Sequence, residues 1–179
     1  MTIHELFEQR ARGEGKWPDI AEHLITLRDY ARGCSRPVVE FGTRSGNTTT
    51  AFLSGGAYVF SYDIEPHQFE CPQDAADRWF FRQADTAKLK EIPPCDLLMI
   101  DSAHNEAQVR AELRHHVSVR RFIILHDTIE WGTKADDGKE GPGINYALFP
   151  FLAEHNRTWR VAAHWNNCRG LTVLERIST

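Results

Sequence analysis

Several things are missing from this chain, and each absence removes a class of protein. No apolar stretch in the 179 residues approaches the ~20 needed to span a bilayer. The opening MTIHELFEQRARG is charged and has no apolar core, so a signal peptide is not expected. No run of Lys or Arg exceeds two residues, and the net charge is −4. A domain that grips a phosphate backbone carries a basic face, so neither nucleic acid nor a membrane surface is expected as partner. Cysteine is sparse: Cys34, Cys71, Cys95 and Cys168 lie far apart, with no C-x-x-C spacing. That pattern argues against a disulfide framework or a cysteine zinc site and fits reduced thiols in the cytoplasm. Repeats and low-complexity tracts are also missing. What remains is a length suited to a single domain, residues 1–179, with a full core.

The most informative stretch present is residues 37–66, PVVEFGTRSGNTTTAFL followed, after SGG, by AYVFSYDIEP. An apolar run ends in Glu40, Gly42 and Gly46, a Ser/Thr-rich helix start follows, and a second apolar run ends in Asp63. These are the parts of a nucleotide-type pocket at the mouth of a parallel sheet. Gly42 can turn tightly, and Gly46 lets backbone approach a ligand. Ser45, Asn47 and Thr48 are suitable helix caps. Asp63 arrives where an acid accepts hydrogen bonds from ribose hydroxyls. The spacing is Gly42-x-x-x-Gly46, not the G-x-G-x-x-G that sets a helix N-terminus against a pyrophosphate. Glu40 would repel a pyrophosphate and attract a cation. An ordinary strand–glycine–helix corner is the plainer reading of the same residues. The segment resembles the first motif, E/D-x-G-x-x-x-G, of the class I S-adenosylmethionine-dependent methyltransferases, whose cofactor carries an ammonium and a sulfonium.

Along the chain, residues 2–12 read as a short amphipathic helix and GEGKWP (13–18) as a loop. Asp19 can cap a helix carrying Ile20, Leu24, Leu27 and Tyr30 that ends near Gly33, so residues 1–33 form a helical cap. From 37 to 177 strands and helices alternate. Strands are expected at 37–42, 57–63, 80–85, 95–102, 120–128, 159–165 and 170–177. Helices are expected at 48–53, weakly at 73–79, at 105–117 and at 144–155. Near-continuous apolar strands in alternation imply a parallel sheet covered on both faces. The last two strands are joined by NNCR alone, which is too short for a parallel crossover, so they form an antiparallel hairpin. The expected fold is therefore α/β, a Rossmann-like doubly wound, mostly parallel seven-stranded sheet with a C-terminal antiparallel hairpin. That topology is also the one the methyltransferase resemblance implies.

Open sheets bind ligands outside the carboxyl ends of their strands. Acids cluster there: Glu40, Asp63, Asp85, Asp101 and Asp127 each close a strand. Gathered acids repel one another unless a cation lies between them. Asp101 and Asp127 leave adjacent strands and could share one divalent ion, magnesium on oxygens alone or manganese, iron or zinc if an imidazole joins. Equally, Asp101 could cap a helix and Asp127 open a turn. His104, three residues past Asp101, is placed to accept a proton; a backbone-bonded histidine at a helix start is the other reading.

The segment MIDSAHNEAQVRAEL…RFIILHDT resembles a narrower group, the metal-dependent O-methyltransferases related to cephalosporin hydroxylase-like and macrolide sugar O-methyltransferases. By that resemblance Asp101 and Asp127 match metal-ligand positions and His104 a catalytic base. The group often has Glu where this chain has His126, so His126 is the uncertain third ligand. The resemblance implies S-adenosylmethionine held by Glu40, Gly42, Ser45, Gly46, Asn47, Thr48, Asp63 and Asp85, with Glu40 at the methionine end and Asp85 near the adenine. It implies O-methylation of a small hydroxylated molecule, a sugar or natural product. A non-catalytic S-adenosylmethionine-binding module, acting as regulator or structural partner, is the rival reading. Oligomeric state stays open, a homo-oligomer included. His115 and His116 are expected at the surface, His23 in packing, His67 near the adenine, and Trp17, Trp131 and Trp165 at a mouth or in the core. GEGKWP and EWGTKADDGKEGPG (130–143) are lid candidates, and equally plain exposed loops.

Overall fold

The computed structural model describes residues 1–136 and 141–177. Seven strands form one sheet: β1 (Val38–Phe41), β2 (Val59–Asp63), β3 (Trp79–Gln83), β4 (Cys95–Ile100), β5 (Val119–His126), β6 (Trp159–Trp165) and β7 (Leu171–Arg176). Their order is β3-β2-β1-β4-β5-β7-β6. The first five are parallel, and β7 pairs antiparallel with both β5 and β6. The expected fold class is the observed one. Strand order reverses between β1 and β4, which opens a crevice at their carboxyl ends.

Alternation along each strand splits the core between two faces, because successive side chains point to opposite sides. On β4, Leu97 and Met99 join one core with α1 (Ile3–Ala11), α2 (Leu24–Arg32) and α3 (Asn47–Ser54). Leu98 and Ile100 join the other with α4 (Glu106–Leu113) and α5 (Asn145–Glu154). All six β4 residues are buried. Full burial of a Leu, Ile or Met contributes roughly 1.5–3 kcal/mol, so β4 is the anchor of the sheet.

Local chemistry moved some boundaries. Trp17 adopts a left-handed conformation (φ 60°) and Pro18 starts a 3-10 turn, so Asp19 lies inside that turn, Pro18–His23, and caps nothing. The stretch expected as a weak helix at 73–79 is a 3-10 turn, Gln73–Arg78. The fourth helix tightens to 3-10 over Arg114–Ser118, where His and β-branched Val replace good helix formers. That tightening buries His115 edge-on against Phe41, correcting its expected surface position.

The cap of α3 is also a correction. The N-cap is Gly46 (φ 75°), with no side-chain cap from Ser45, Asn47 or Thr48. A Cβ on Gly46 would stand 2.4 Å from the Phe69 ring, so packing by itself requires the glycine. Asn47 instead donates to the carbonyls of Lys16 (3.0 Å) and Trp17 (2.9 Å), which ties the 13–18 loop down over the glycine corner. Among the described residues no helix is long and apolar enough to cross a membrane.

Candidate active site

At the carboxyl ends of the parallel strands lies a cavity of about 440 Å³. Gly42, Asp63, Asp85, Asp101 and His104 line it, with Trp17 and Arg44 at one side. Ser45, Asn47 and Thr48 line a smaller adjoining recess that shares Gly42 and Asp101 with the main cavity. Gly42 holds the two strand ends together. Its φ is 89°, and a Cβ there would lie 2.0 Å from the Asp101 carbonyl oxygen. Asp101 in turn donates its backbone N–H to Phe41 at 2.9 Å.

Glu40 lines neither space. It is fully buried beneath α3 and accepts hydrogen bonds from Thr48, from Thr49 at 2.7 Å and from Ser61 at 2.5 Å. Burial pushes its carboxyl up to about 7, against those hydroxyls. Asp63 faces the cavity, but its Oδ2 already accepts from the backbone N–H groups of Thr43 (2.7 Å) and Arg44 (3.0 Å), and Oδ1 from Glu65 (3.0 Å). Asp63 therefore shapes the glycine loop while offering its remaining lone pairs to the cavity. Asp85 caps a short turn through Ala87 (3.1 Å) and pairs with Lys88 at 2.8 Å, which holds its carboxyl below the ordinary range.

The ends of β4 and β5 are built differently. Asp127 follows β5 with its backbone in the left-handed region (φ 59°), a strained position for a side-chain-bearing residue. The turn aims its carboxylate back at Asp101 and His104. One His104 ring nitrogen, Nε2, lies 3.0 Å from Asp127 Oδ2 and 3.5 Å from Asp101 Oδ1. The other, Nδ1, lies 2.7 Å from Asp136 Oδ2. His126 faces the same acids: its Nδ1 is 3.2 Å from Asp101 Oδ1 and 3.4 Å from Asp127 Oδ1. Its Nε2 donates to the Cys168 carbonyl at 2.9 Å. The hairpin turn makes this reach possible through three successive positive-φ residues, Cys168, Arg169 and Gly170.

Burial alone would drive His104 down, but Asp101, Asp127 and Asp136 outweigh it and raise the ring to about 9. His126 is raised for the same reason, chiefly by Asp101. Burial would raise Asp101, yet the two histidines hold it below the ordinary carboxylate range. Burial pushes Asp127 up to about 6, with the neighbouring Asp101 adding to it against the pull of the two histidines. Asp127 Oδ1 is buried without a hydrogen-bond donor among the described residues. Asp101, His104 and Asp127 each offer a ligand atom within 4.8 Å of the others. His126 touches both carboxylates but lies outside that set of three.

Sequence reading missed Asp136, which sits in a loop without periodicity. It also missed the buried Glu112, whose Oε1 accepts from Thr86 (2.5 Å), Ser102 (2.6 Å) and Gln108 (2.8 Å), three residues that line the cavity. The signal for Glu112 was available: it sits one turn beyond Gln108 on a helix whose neighbouring positions are apolar. Thr43 is a further omission, its hydroxyl buried without a partner among the described residues at the edge of the smaller recess. His67 bonds the Phe69 carbonyl and packs on Trp79 and Phe81 instead of lining the cavity. His23 is buried, 3.0 Å from the Asn167 carbonyl and edge-on to His126. Trp17 does line the cavity, stacked under Arg44, whereas Trp131 and Trp165 pack against the two cores. Of the 130–143 loop, residues 137–140 lie outside the described residues.

No family model and no curated protein matches the chain. Solved structures do. The O-methyltransferase from Bacillus cereus in complex with S-adenosylhomocysteine aligns with a TM-score of 0.61 at 16% identity, over 97% of this chain and 90% of that one. The 1,6-didemethyltoxoflavin-N1-methyltransferase of Burkholderia thailandensis, bound to 1,6-didemethyltoxoflavin and S-adenosylhomocysteine, aligns at 0.61 and 14% identity, over 98% and 87%. The N-methyltransferase NodS from Bradyrhizobium japonicum aligns at 0.60 and 12% identity, over 99% and 100%. The chain thus has the class I S-adenosylmethionine-dependent methyltransferase fold. Fold alone leaves the chemistry to be argued from the site.

Proposed function

We propose that the protein is an S-adenosylmethionine-dependent O-methyltransferase acting on a small hydroxylated molecule, assisted by a divalent cation. One observation carries the reading: a single cavity receives both Asp63, at the cofactor corner, and the Asp101–His104 pair. Its volume, about 440 Å³, suits small ligands. The fold and its S-adenosylhomocysteine-bound neighbours support the cofactor half. In this reading Asp63 meets the ribose, the 42–46 loop lies along the methionine portion, and Asp85 and Thr86 border the adenine.

The residues at β4 and β5 fit a divalent cation. The donorless Asp127 Oδ1 and the converging atoms of Asp101, His104 and Asp127 leave negative charge that a cation would answer. Two carboxylates and an imidazole suit manganese, with magnesium next. A cation bound there would supply the positive charge that lowers the pKa of an acceptor hydroxyl. The chain's own part is to hold both reactants close and in line, which accounts for much of the acceleration in such displacements. His104 changes role relative to the sequence expectation. Without an ion it is protonated at neutral pH, since its pKa is raised to about 9, and with an ion its Nε2 is engaged. In neither state does it have a free lone pair with which to act as base.

Calorimetric titration with S-adenosylmethionine tests the cofactor half: the wild type binds, and Asp63→Ala abolishes binding. Undiminished binding in that variant removes the assignment. A panel of hydroxylated acceptors, run with magnesium or manganese and again with chelator, tests the chemistry. The expected result is methyl transfer that stops on chelation. Cofactor binding with no turnover across the panel would favour the rival reading, a non-catalytic binding module.

A further inference from the structure

We propose that Asp136 is the positioning residue that fixes the tautomer of His104, so that Nε2 of that ring, not His126, completes the donor set for a divalent cation at the ends of β4 and β5. The inference rests on the metal-assisted reading above. It starts from hydrogen-bond inventory. A carboxylate only accepts, so at 2.7 Å from Asp136 Oδ2 the His104 Nδ1 must carry a proton. In the neutral ring the lone pair is then on Nε2. That nitrogen points at Asp127 Oδ2, 3.0 Å away, and Asp101 Oδ1, 3.5 Å away. In the ion-free protein a proton on Nε2 answers these oxygens; a divalent cation can take its place, because the lone pair then exposed faces both carboxylates. Asp127 Oδ1, buried and making no hydrogen bond among the described residues although His126 Nδ1 lies 3.4 Å away, is the independent sign that a cation would be accepted there.

The two histidines differ in what holds their outer nitrogen. His126 gives its Nε2–H to a neutral carbonyl, that of Cys168, whereas His104 gives its Nδ1–H to a carboxylate. A carboxylate behind the ring orients it and raises its basicity as a ligand, the arrangement found behind metal-bound imidazoles. Asp136 is delivered by a loop with its own supports. The Ala135 N–H bonds the Gly141 carbonyl at 3.0 Å, and the Ile144 N–H bonds the Trp131 carbonyl at 3.0 Å. Gly143 packs so tightly that a Cβ would stand 2.0 Å from the Trp131 carbonyl oxygen. This loop, weighed as a lid or a plain exposed loop, thus contributes the Asp136 side chain to the site.

The test is manganese affinity, measured by calorimetry and by electron paramagnetic resonance, on the full-length wild type, Asp136→Ala, Asp136→Asn and Asp101→Ala. Asp136→Ala should weaken manganese about 10- to 100-fold while leaving S-adenosylhomocysteine affinity within about twofold. Asp136→Asn keeps an acceptor oxygen and so the tautomer, but not the charge, and should recover only part of that loss. Nitrogen-15 spectra of the histidines in the magnesium-loaded protein should show a single Nδ1–H tautomer for His104, replaced by a mixture in Asp136→Ala. Unchanged manganese affinity in Asp136→Ala, with affinity lost in Asp101→Ala, overturns the role of Asp136 and leaves the metal site standing. A wild type that takes up no manganese, indistinguishable from Asp101→Ala, overturns the metal-assisted reading and this inference together.

Discussion

At the carboxyl ends of β1 and β2 the chain answers its own acids, while at the ends of β4 and β5 it leaves one acid oxygen unanswered. Glu40 is surrounded by the hydroxyls of Thr48, Thr49 and Ser61, and Asp63 takes three backbone N–H groups. Asp101 and Asp127 share two imidazoles, and Asp127 Oδ1 still has no donor among the described residues. A cluster of acids in a sequence therefore marks two different things. Where hydroxyls and amides satisfy the carboxylate, the acid builds the loop. Where donors run short, an acid oxygen stays unsatisfied, as at Asp127, and that is where the proposed cation would bind.

The sharpest way to break this contrast is Asp101→Ala. Turnover and manganese affinity should both fall by more than about 100-fold, beyond what loss of a residue supporting a ligand costs. Parallel calorimetry and methyl-transfer assays would check it, and a variant with near-normal manganese binding would erase the difference between the two ends.

A smaller effect is expected from Glu40→Gln, read as stability against pH. The folded-state pKa is raised from 4.5 to about 7, so the folded chain holds that proton more tightly than the unfolded one. The stabilisation is complete below pH 4.5 and is lost as pH rises through about 7, a swing on the order of 3 kcal/mol. Urea unfolding of cofactor-free protein at pH 5 and pH 8 should show this slope in the wild type and a flatter one in the variant. Equal slopes would mean Glu40 is ionised and closer to a guest than its surroundings indicate.

Gly42→Ala joins the two ends. Its Cβ would meet the Asp101 carbonyl, and the positive φ adds strain of roughly 1–3 kcal/mol. Chemical denaturation should register that loss, and manganese affinity should fall with it because Asp101 shifts. The mildest change is Thr43→Val. Its hydroxyl has no partner among the described residues, so stability should hold, while cofactor affinity should drop by about 1 kcal/mol if that hydroxyl meets the ligand. Unchanged affinity would place the ligand away from the 42–46 loop.

Much of this was legible in the residue order, for reasons that differ by element. β1, β4 and β5 were visible because strands buried on both faces must be apolar almost throughout. The hairpin followed from a link too short to cross over. Asp101 and Asp127 were visible as the first polar groups after adjacent strands. Gly46 was legible as a needed glycine, but its packing against Phe69 was not, since a ligand and that ring demand the same missing Cβ. His115 was misplaced because a 3-10 turn rotates a side chain off the face that α-helical spacing assigns. Asp136 gave no signal at all, as a loop acid looks alike whether it faces water or a histidine 32 residues earlier.

The sequence by itself determined the order of strands and helices, the antiparallel close of the sheet and the collection of acids at one edge, because burial and chain reach dictate these locally. Which acids are satisfied, and which ring nitrogen faces which oxygen, only the tertiary structure decided. Hydrogen-bond partners for a buried carboxylate come largely from other elements of the fold, as Thr48, Thr49 and Ser61 do for Glu40, and distances of about 3 Å are set by how those elements pack.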